Sequence, residues 1–197
     1  MNIPVIEILG YEADDVIGTL AKMAEREGFQ TFMVTPDKDY TQLVSPDISI
    51  YRPSRQGKGY EILGVEEVKT AFEVSTPEHV IDVLALWGDA SDNIPGAPGI
   101  GEKTAKELIS RFGTVEAIYE RISELKPKQQ ENLTSHREQV QLSKLLATIH
   151  TSVPLEISLD HLRRASWNEK LVRELFSGLE FRSFLSTMEQ GRREAVQ

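Results

Sequence analysis

The amino-acid sequence predicts an α/β fold in which a small parallel sheet is followed by a helical part. Two short runs rich in apolar residues, 3–8 and 30–35, flank a segment with helical spacing. From residue 65 onward, helical spacing dominates the chain. A stretch rich in glycine and proline, residues 88–105, interrupts the helices, and we expect it to carry much of the function.

The N-terminal elements are predicted to alternate between strand and helix. Residues 3–8 are predicted to form a buried strand, which Pro4 restricts to a sheet edge or a strand start. Residues 12–27 repeat apolar side chains at helical spacing, and Gly28 ends the helix. Residues 30–35 are predicted as the next strand. Residues 48–52 and 60–63 are predicted to pair as a β-hairpin. Helices are predicted for residues 65–72, 77–87, 104–112, 114–121, 128–133, 136–149 and 168–177.

Composition allows one hydrophobic core and sets limits on the environment. The chain has 197 residues, of which 40% are hydrophobic, and it contains no cysteine. It shows no apolar run long enough to span a bilayer and no leader, so we expect a cytoplasmic protein without a membrane partner. The net charge of −9 argues against nucleic-acid binding, and an ordinary acidic protein has the same total.

The position of the acidic residues is more informative than their number. Seven of them fall in three tight clusters, and the rest of the chain is close to neutral. Asp37 and Asp39 directly follow a predicted strand, and an extended turn would send both side chains the same way. The first cluster follows the neighbouring strand, so the clusters are expected to meet at one rim of the sheet. The seven are Glu12, Asp14, Asp15, Asp37, Asp39, Asp89 and Asp92.

Each acidic cluster also has an ordinary structural explanation. Acidic residues in a first helical turn favour the helix dipole, and acidic pairs after strands are common in turns. Crowded carboxylates, however, repel one another unless cations lie between them. Hard divalent ions such as Mg²⁺ or Mn²⁺ are the expected partners.

The stretch GDASDNIPGAPGIGEKTA, residues 88–105, combines two of these aspartates with a turn that can grip a phosphate. Its glycines allow a close backbone approach, and the following helix presents free N–H groups to an anion. Its lysine comes one residue too late for a nucleotide-binding P-loop, and its acids do not continue as a calcium-binding EF-hand. The loop bearing Arg52, Arg55 and Lys58 is either a solvated loop or a second phosphate contact.

The stretch at residues 88–105 closely resembles part of the 5′ nuclease domain of bacterial DNA polymerase I, within the flap endonuclease superfamily. The resemblance runs without gaps through 88–105, includes the run Glu-Ala-Asp-Asp at residues 12–15, and extends from about residue 3 to 188. It implies a PIN-like parallel sheet with a helical helix-hairpin-helix subdomain. The expected division is residues 1–92 for metal binding, 93–187 for DNA binding with the helix-hairpin-helix at about 94–112, and 188–197 as a tail.

The resemblance also implies individual roles. Glu12 and Asp14 resemble ligands of the metal that binds the attacking water, Asp37, Asp39 and Asp89 resemble ligands of a second ion, and these five are the expected catalytic residues. Asp15 and Asp92 match further acids of the cluster. In the family, one turn holds the duplex backbone and binds K⁺ through main-chain carbonyl groups. The residues that match this turn are Gly96, Gly99, Gly101, Lys103 and Thr104, and Lys106 adds a positive charge nearby.

The implied activity is metal-dependent hydrolysis of 5′ ends and 5′ flaps of DNA, in repair and in removal of RNA primers during replication. The resemblance also implies that family members carry further N-terminal strands, further aspartate ligands of the first metal and a basic arch, which we do not expect in this chain. We therefore expect an incomplete first-metal site, weak or no activity, and an open sheet edge that favours self-association. The alternative is a non-catalytic fragment that binds duplex DNA. The resemblance also implies a polymerase domain on the same parent chain.

Overall fold

The architecture is that of a small sheet surrounded by helices. A computed structural model describes residues 2–54 and 59–194, and in it the chain forms two compact units. One unit is Glu7–Pro154. The other comprises the described residues among 1–6 and 155–197. The predicted phosphate contacts Arg55 and Lys58 lie outside the described residues.

The larger unit holds the sheet and seven of the α-helices seen in the described residues. In chain order these are α1 (Ala13–Arg26), β1 (Thr31–Val34), β2 (Ile48–Pro53), β3 (Tyr60–Leu63), α2 (Val65–Phe72), α3 (Val80–Trp87), α4 (Glu102–Phe112), α5 (Val115–Glu120), α6 (Pro127–Ser135) and α7 (Arg137–Ala147). The smaller unit contains α8 (Glu169–Gly178) and α9 (Arg182–Glu194), with Asn168 capping α8 through the backbone N–H of Leu171. The predicted helices and the hairpin are thus confirmed, with ends that shift by a few residues at most.

The sheet is mixed rather than wholly parallel. Strand β2 lies in the centre, parallel to β1 and antiparallel to β3. One face carries the buried side chains of Met33, Ile48, Ile50 and Leu63. This alternation is what a sheet covered on one side requires, because successive side chains point to opposite faces.

The predicted strand at residues 3–8 is wrong. The structure gives these residues no regular secondary structure, and the side chains of Ile3 and Val5 are exposed. Within the described chain no strand pairs with this run, and Pro4 removes one of its backbone donors. A run of apolar residues cannot form a stable strand unless a neighbour supplies the hydrogen bonds.

Helix α3 is the centre of the larger unit. Its side chains Val80, Val83, Leu84 and Leu86 are fully buried, as expected for a helix that is apolar on all sides. The helix packs against α4 and α7. Its one acidic residue, Asp82, is also buried, and its carboxylate accepts hydrogen bonds from the backbone N–H of Val115 (2.9 Å) and from Lys144 Nζ (2.6 Å). This pairing allows a charge to be buried at the junction of three helices.

Candidate metal centre and nucleic-acid interface

The segment after β1 turns Asp39 inward and leaves Asp37 outside. Asp37 accepts a hydrogen bond from the backbone N–H of Asp39 at 3.0 Å, and Lys38 has helical backbone angles. A short 3₁₀ helix, Asp39–Leu43, therefore starts at once. The expectation of an extended turn with parallel side chains is wrong, because the turn is already helical. Asp39 is buried and Asp37 is exposed.

The second element of the site is the turn that follows α3. Backbone hydrogen bonds in both directions between Asp89 and Ile94, each 2.8 Å, close a tight loop with Asn93 in the left-handed region at φ 58°. The carboxylate of Asp89 accepts hydrogen bonds from the backbone N–H (2.9 Å) and the hydroxyl (2.5 Å) of Ser91. These bonds hold the Asp89 side chain buried while Asp92 reaches the same place from the exposed side of the loop.

The two segments bring three carboxylates together. In the described part of the chain, Asp39, Asp89 and Asp92 each present an oxygen, and these oxygens lie within 4.8 Å of one another. Burial raises the pKa of Asp39 to about 6, and the charges of Asp37, Asp89 and Asp92 add to the shift against the opposing effect of Lys38. Burial by itself would raise the pKa of Asp89 as well. Hydrogen bonds from Lys38 and Ser91 outweigh this effect and hold the pKa of Asp89 below its usual value.

Acidic residues of α1 lie near this group without joining it. Burial raises the pKa of Asp14, and the charges of Asp15 and Asp37 contribute. Burial together with the charges of Asp14 and Asp37 raises the pKa of Tyr40 to about 12. Asp14, Asp37 and Tyr40 therefore interact electrostatically, so the start of α1 lies close to the segment after β1.

Two of the predicted acidic residues have other surroundings. Glu12 is exposed at the N-cap of α1, and its side chain makes no capping hydrogen bond. Asp15 accepts a hydrogen bond from the backbone N–H of His150 at 2.8 Å. The ring of His150 stacks on Tyr11, with centroids 5.9 Å apart. Asp15 thus ties the start of α1 to the segment after α7.

The turn between α3 and α4 is fixed from three sides. The backbone N–H of Ala97 bonds to Leu86 (2.8 Å), that of Gly96 bonds to the hydroxyl of Ser143 (3.0 Å), and Gln139 donates to the carbonyl of Gly96 (2.7 Å). Gly96 is buried, whereas Gly99 and Gly101 are exposed beside the start of α4. Of the predicted phosphate contacts, the turn brings together Gly99, Gly101, Lys103 and Thr104 at its outer surface.

Two other predicted phosphate contacts are already engaged. The ammonium of Lys106 pairs with Glu102 at 2.5 Å and lies 5.5 Å from the ring centroid of Phe72. Arg52 pairs with Glu61 at 2.7 Å across the hairpin. Both cations would have to leave an acidic partner before they could contact a phosphate.

The structure adds residues that the sequence reasoning missed. A cavity of about 540 Å³ lies between the turn, at Gly99 and Thr104, and α6, at Lys126, Lys128 and Asn132. The side-chain amide of Asn132 donates to the carbonyl of Pro98 and so holds α6 against the turn. Among the lysines that the structure describes, only Lys103, Lys126 and Lys128 have no ion-pair partner. The sequence signal was the pair of lysines around Pro127 at a helix start.

A parallel strand pair, a carboxylate cluster beside it and a glycine-rich turn leading into a helix define an α/β protein with an acidic centre next to a basic surface. Sequence models of two domains match the chain: "5′-3′ exonuclease, N-terminal resolvase-like domain" over residues 1–73 and "5′-3′ exonuclease, C-terminal SAM fold" over residues 75–170. The chain belongs to the 5′-3′ exonuclease family.

Individual relatives agree with this assignment. DNA polymerase I of Bacillus caldotenax is 45% identical over 189 residues, which are 95% of this chain and 21% of the relative. DNA polymerase I of Bacillus subtilis (strain 168) is 41% identical over 192 residues, 97% of this chain and 22% of the relative. The chain thus spans about a fifth of the length of the curated relatives it matches.

Solved structures show the same fold. T5 5′-exonuclease with bound zinc ions has a TM-score of 0.66 and 25% identity, over 75% of this chain and 54% of the other. A mutant form of T5 5′-exonuclease has a TM-score of 0.64 and 26% identity, over 75% of this chain and 59% of the other. No helix in the described residues is both long and apolar enough to cross a membrane.

Proposed function

We propose that this chain is the nuclease part of a DNA polymerase I and takes part in metal-dependent phosphodiester hydrolysis at 5′ ends and 5′ flaps of DNA. The observation that carries the proposal is the approach of Asp39, Asp89 and Asp92 from two separate segments to within 4.8 Å. Membership of the 5′-3′ exonuclease family and the likeness to T5 5′-exonuclease with bound zinc ions support it. The polymerase on the same parent chain, RNA primers as substrates, and roles in repair and replication belong to the same proposal.

The donor set fits a hard divalent ion such as Mg²⁺ or Mn²⁺. Within the described chain, Asp39 Oδ1 is a buried side-chain oxygen without a hydrogen-bond donor. A buried carboxylate oxygen without a donor is costly, and a bound cation would remove that cost. Asp39, Asp89 and Asp92 would hold one ion, and Asp14 and Asp37, with Glu12 and Asp15 beside them, would supply carboxylates for a second.

The chemistry that such ions supply is polarisation of a phosphate oxygen and stabilisation of charge on the attacking and leaving oxygens. The protein's own part is to fix the carboxylates. Ser91 orients Asp89 through two hydrogen bonds, and the 3₁₀ turn after Asp37 fixes Asp39 in a buried position. Because both segments are held by backbone bonds, the three oxygens are positioned before any substrate arrives.

The substrate would be held by the outer surface of the turn before α4. Lys103, Lys126 and Lys128 have no ion-pair partner among the described residues, and Lys126 and Lys128 line the cavity beside Gly99 and Thr104. Free cations beside a helix start favour a phosphate backbone and give no base preference. The carbonyl groups of the same turn would hold the K⁺ that we propose there. We propose the division into residues 1–92 for the metal and 93–187 for DNA on this basis.

The nuclease assignment is tested in the full-length natural protein. Asp89→Asn should reduce Mg²⁺-dependent cleavage of a 5′-flap duplex by about a hundredfold, because it removes a charged ligand. Asp160→Asn is the matched control, since Asp160 is exposed and pairs with Arg163 three residues along the chain, away from the acidic cluster in sequence. Cleavage that is equal in both variants would refute the metal assignment.

The alternative, a duplex-binding fragment without catalysis, is favoured by the free lysines themselves. It predicts that this chain binds duplex DNA and yields no product with any divalent ion. Replacing Lys126 and Lys128 with alanine should weaken binding and reduce the slope of log K against log salt by about two. Lys69→Ala, which removes an ion-paired lysine of α2, serves as the control. An unchanged slope in the double variant would exclude this surface.

A further inference from the structure

The side chain of Lys38 lies inside the acidic centre and has no assigned role. Its ammonium bonds to Asp89 Oδ2 and lies 3.7 Å from Asp39 Oδ1. It also lies 5.9 Å from the ring centroid of Trp87, on the helix that leads into the Asp89 turn. The side chain is 30% exposed, so its amine can reach solvent without any movement of the backbone. Lys38 thus places a positive charge between two of the three clustered carboxylates.

We propose that Lys38 is a built-in counter-cation that competes with the divalent ion for Asp39 and Asp89, so that metal loading displaces its ammonium from the cluster. The inference rests on the proposed metal site. In this role Lys38 lowers the affinity of that site for metal and stabilises the carboxylate cluster when no metal is bound.

The contacts show that the ammonium satisfies the cluster only in part. Asp89 receives hydrogen bonds from Lys38 and from Ser91, so this carboxylate is well supplied with donors. Asp39 Oδ1 receives none. A single ammonium therefore neutralises one carboxylate fully and the next only through space, at 3.7 Å. The pair of carboxylates still favours a cation of higher charge.

The ammonium and a divalent ion cannot both remain at these oxygens. Like charges a few ångströms apart in a partly buried site repel each other strongly. A lysine has a flexible stem of four carbons, and the Lys38 side chain is 30% exposed, so its ammonium can turn toward solvent. Metal binding is therefore accompanied by displacement of Lys38. The contact of Lys38 with the cluster and the binding of the metal ion each weaken the other to the same extent.

The inference is tested by direct titration of Mn²⁺ into metal-free protein, followed by calorimetry or by the electron paramagnetic resonance of the free ion. Lys38→Met keeps the length of the side chain and removes its charge, and it should bind Mn²⁺ about tenfold more tightly than the natural chain. Lys38→Arg keeps a competing charge and should stay close to the natural affinity. Lys69→Met is the control for net charge, because Lys69 pairs with Glu66 on the surface of α2.

A second readout does not depend on metal. In the presence of a chelator, Lys38→Met should melt at a lower temperature than the natural chain, and saturating Mn²⁺ should abolish or reverse that difference. An affinity of Lys38→Met that is equal to or weaker than that of the natural chain would overturn the inference alone. A natural chain and variant that both bind no ion would overturn it together with the metal site, even if cleavage by the full-length protein were still observed.

Discussion

Single residues decide how this site responds to its environment, and Asp39 is the clearest case. It belongs to a chain segment that leaves Asp37 in solvent and turns the very next acidic residue into the protein. Burial raises the pKa of Asp39 to about 6, with the neighbouring carboxylates adding to the shift. Its charged form is therefore less favoured in the metal-free protein than that of an ordinary aspartate, and a bound cation would stabilise it.

This shift predicts a pH dependence for metal binding. A metal ion needs the carboxylate of Asp39 deprotonated, so protons should compete with it below a pH of about 6. An aspartate with an ordinary pKa would compete only near pH 4. We expect the affinity for Mn²⁺ to fall by up to about tenfold per pH unit below that point. Calorimetric titration between pH 5 and 7.5 measures it, and a constant affinity over that range would contradict the assignment of Asp39.

At the residue scale, the sequence predicted the acidic residues better than their surroundings. The clustering of Asp39, Asp89 and Asp92 follows from their places after a strand and in a turn. The difference in burial between Asp37 and Asp39 does not follow from the sequence. It depends on the 3₁₀ helix that begins at Asp39, where an extended turn was expected. The position of Lys38 was not predicted either, because no spacing rule directs a lysine side chain toward acidic residues on a distant segment.

Among the elements, the turn between α3 and α4 connects the acidic centre to the basic surface. Within this turn Gly96 has φ 62°, and a Cβ at this position would lie 2.5 Å from the backbone nitrogen of Gly88. The atoms that this Cβ would meet belong to the main chain of Trp87 and Gly88, so they cannot move aside cheaply. The absence of a side chain at Gly96 thus allows the two ends of the segment that carries Asp89 and Asp92 to approach each other closely.

Gly96→Ala should therefore destabilise the protein by at least about 2 kcal/mol, since it adds strain at positive φ to a backbone overlap. For a chain of this length that is a fall in melting temperature of roughly 4–8 °C. Gly101→Ala is the matched control, because Gly101 has φ −90° and an added Cβ meets no atom within 4 Å. Thermal unfolding followed by circular dichroism compares the two. Equal melting temperatures would show that the turn is not packed as described.

The helices were predictable from apolar spacing, and the hairpin from alternation. The absence of a strand at residues 3–8 was not predictable, because a strand needs a hydrogen-bonding partner for its backbone as well as a suitable composition. The cavity beside α6 was also beyond sequence reasoning, since it depends on how Asn132 holds that helix against the turn. Elements with local hydrogen bonds were therefore predicted well, whereas the conformation of residues 3–8 and the cavity beside α6, which depend on contacts with other segments, were not.

At the scale of the whole molecule, the described strands of the sheet bury large apolar side chains on one face only. The opposite face carries Phe32, Val34, Tyr60 and Ile62, all exposed. In the described chain β1 pairs with β2 alone, so its outer edge offers unpaired backbone groups. An apolar sheet face next to an open edge is a surface through which copies of a chain associate.

We therefore expect this chain to associate with itself as its concentration rises. Val34 is 75% exposed on β1, so Val34→Lys should place a charge on this face at little cost to folding and should shift the chain toward monomer. Sedimentation velocity over a range of concentrations measures the association. A natural chain that stays monomeric throughout, or a variant that associates equally well, would show that this face is not the contact.

The central claim is that two separate segments hold carboxylates at one point where a divalent ion binds. Crystals of the chain soaked in MnCl₂ and measured at the manganese absorption edge test it most directly. The account predicts an anomalous difference peak within bonding distance of carboxylate oxygens from Asp39, Asp89 and Asp92, with the ammonium of Lys38 moved away from Asp89. Manganese bound elsewhere with this cluster unchanged, or no bound manganese at all, would contradict it.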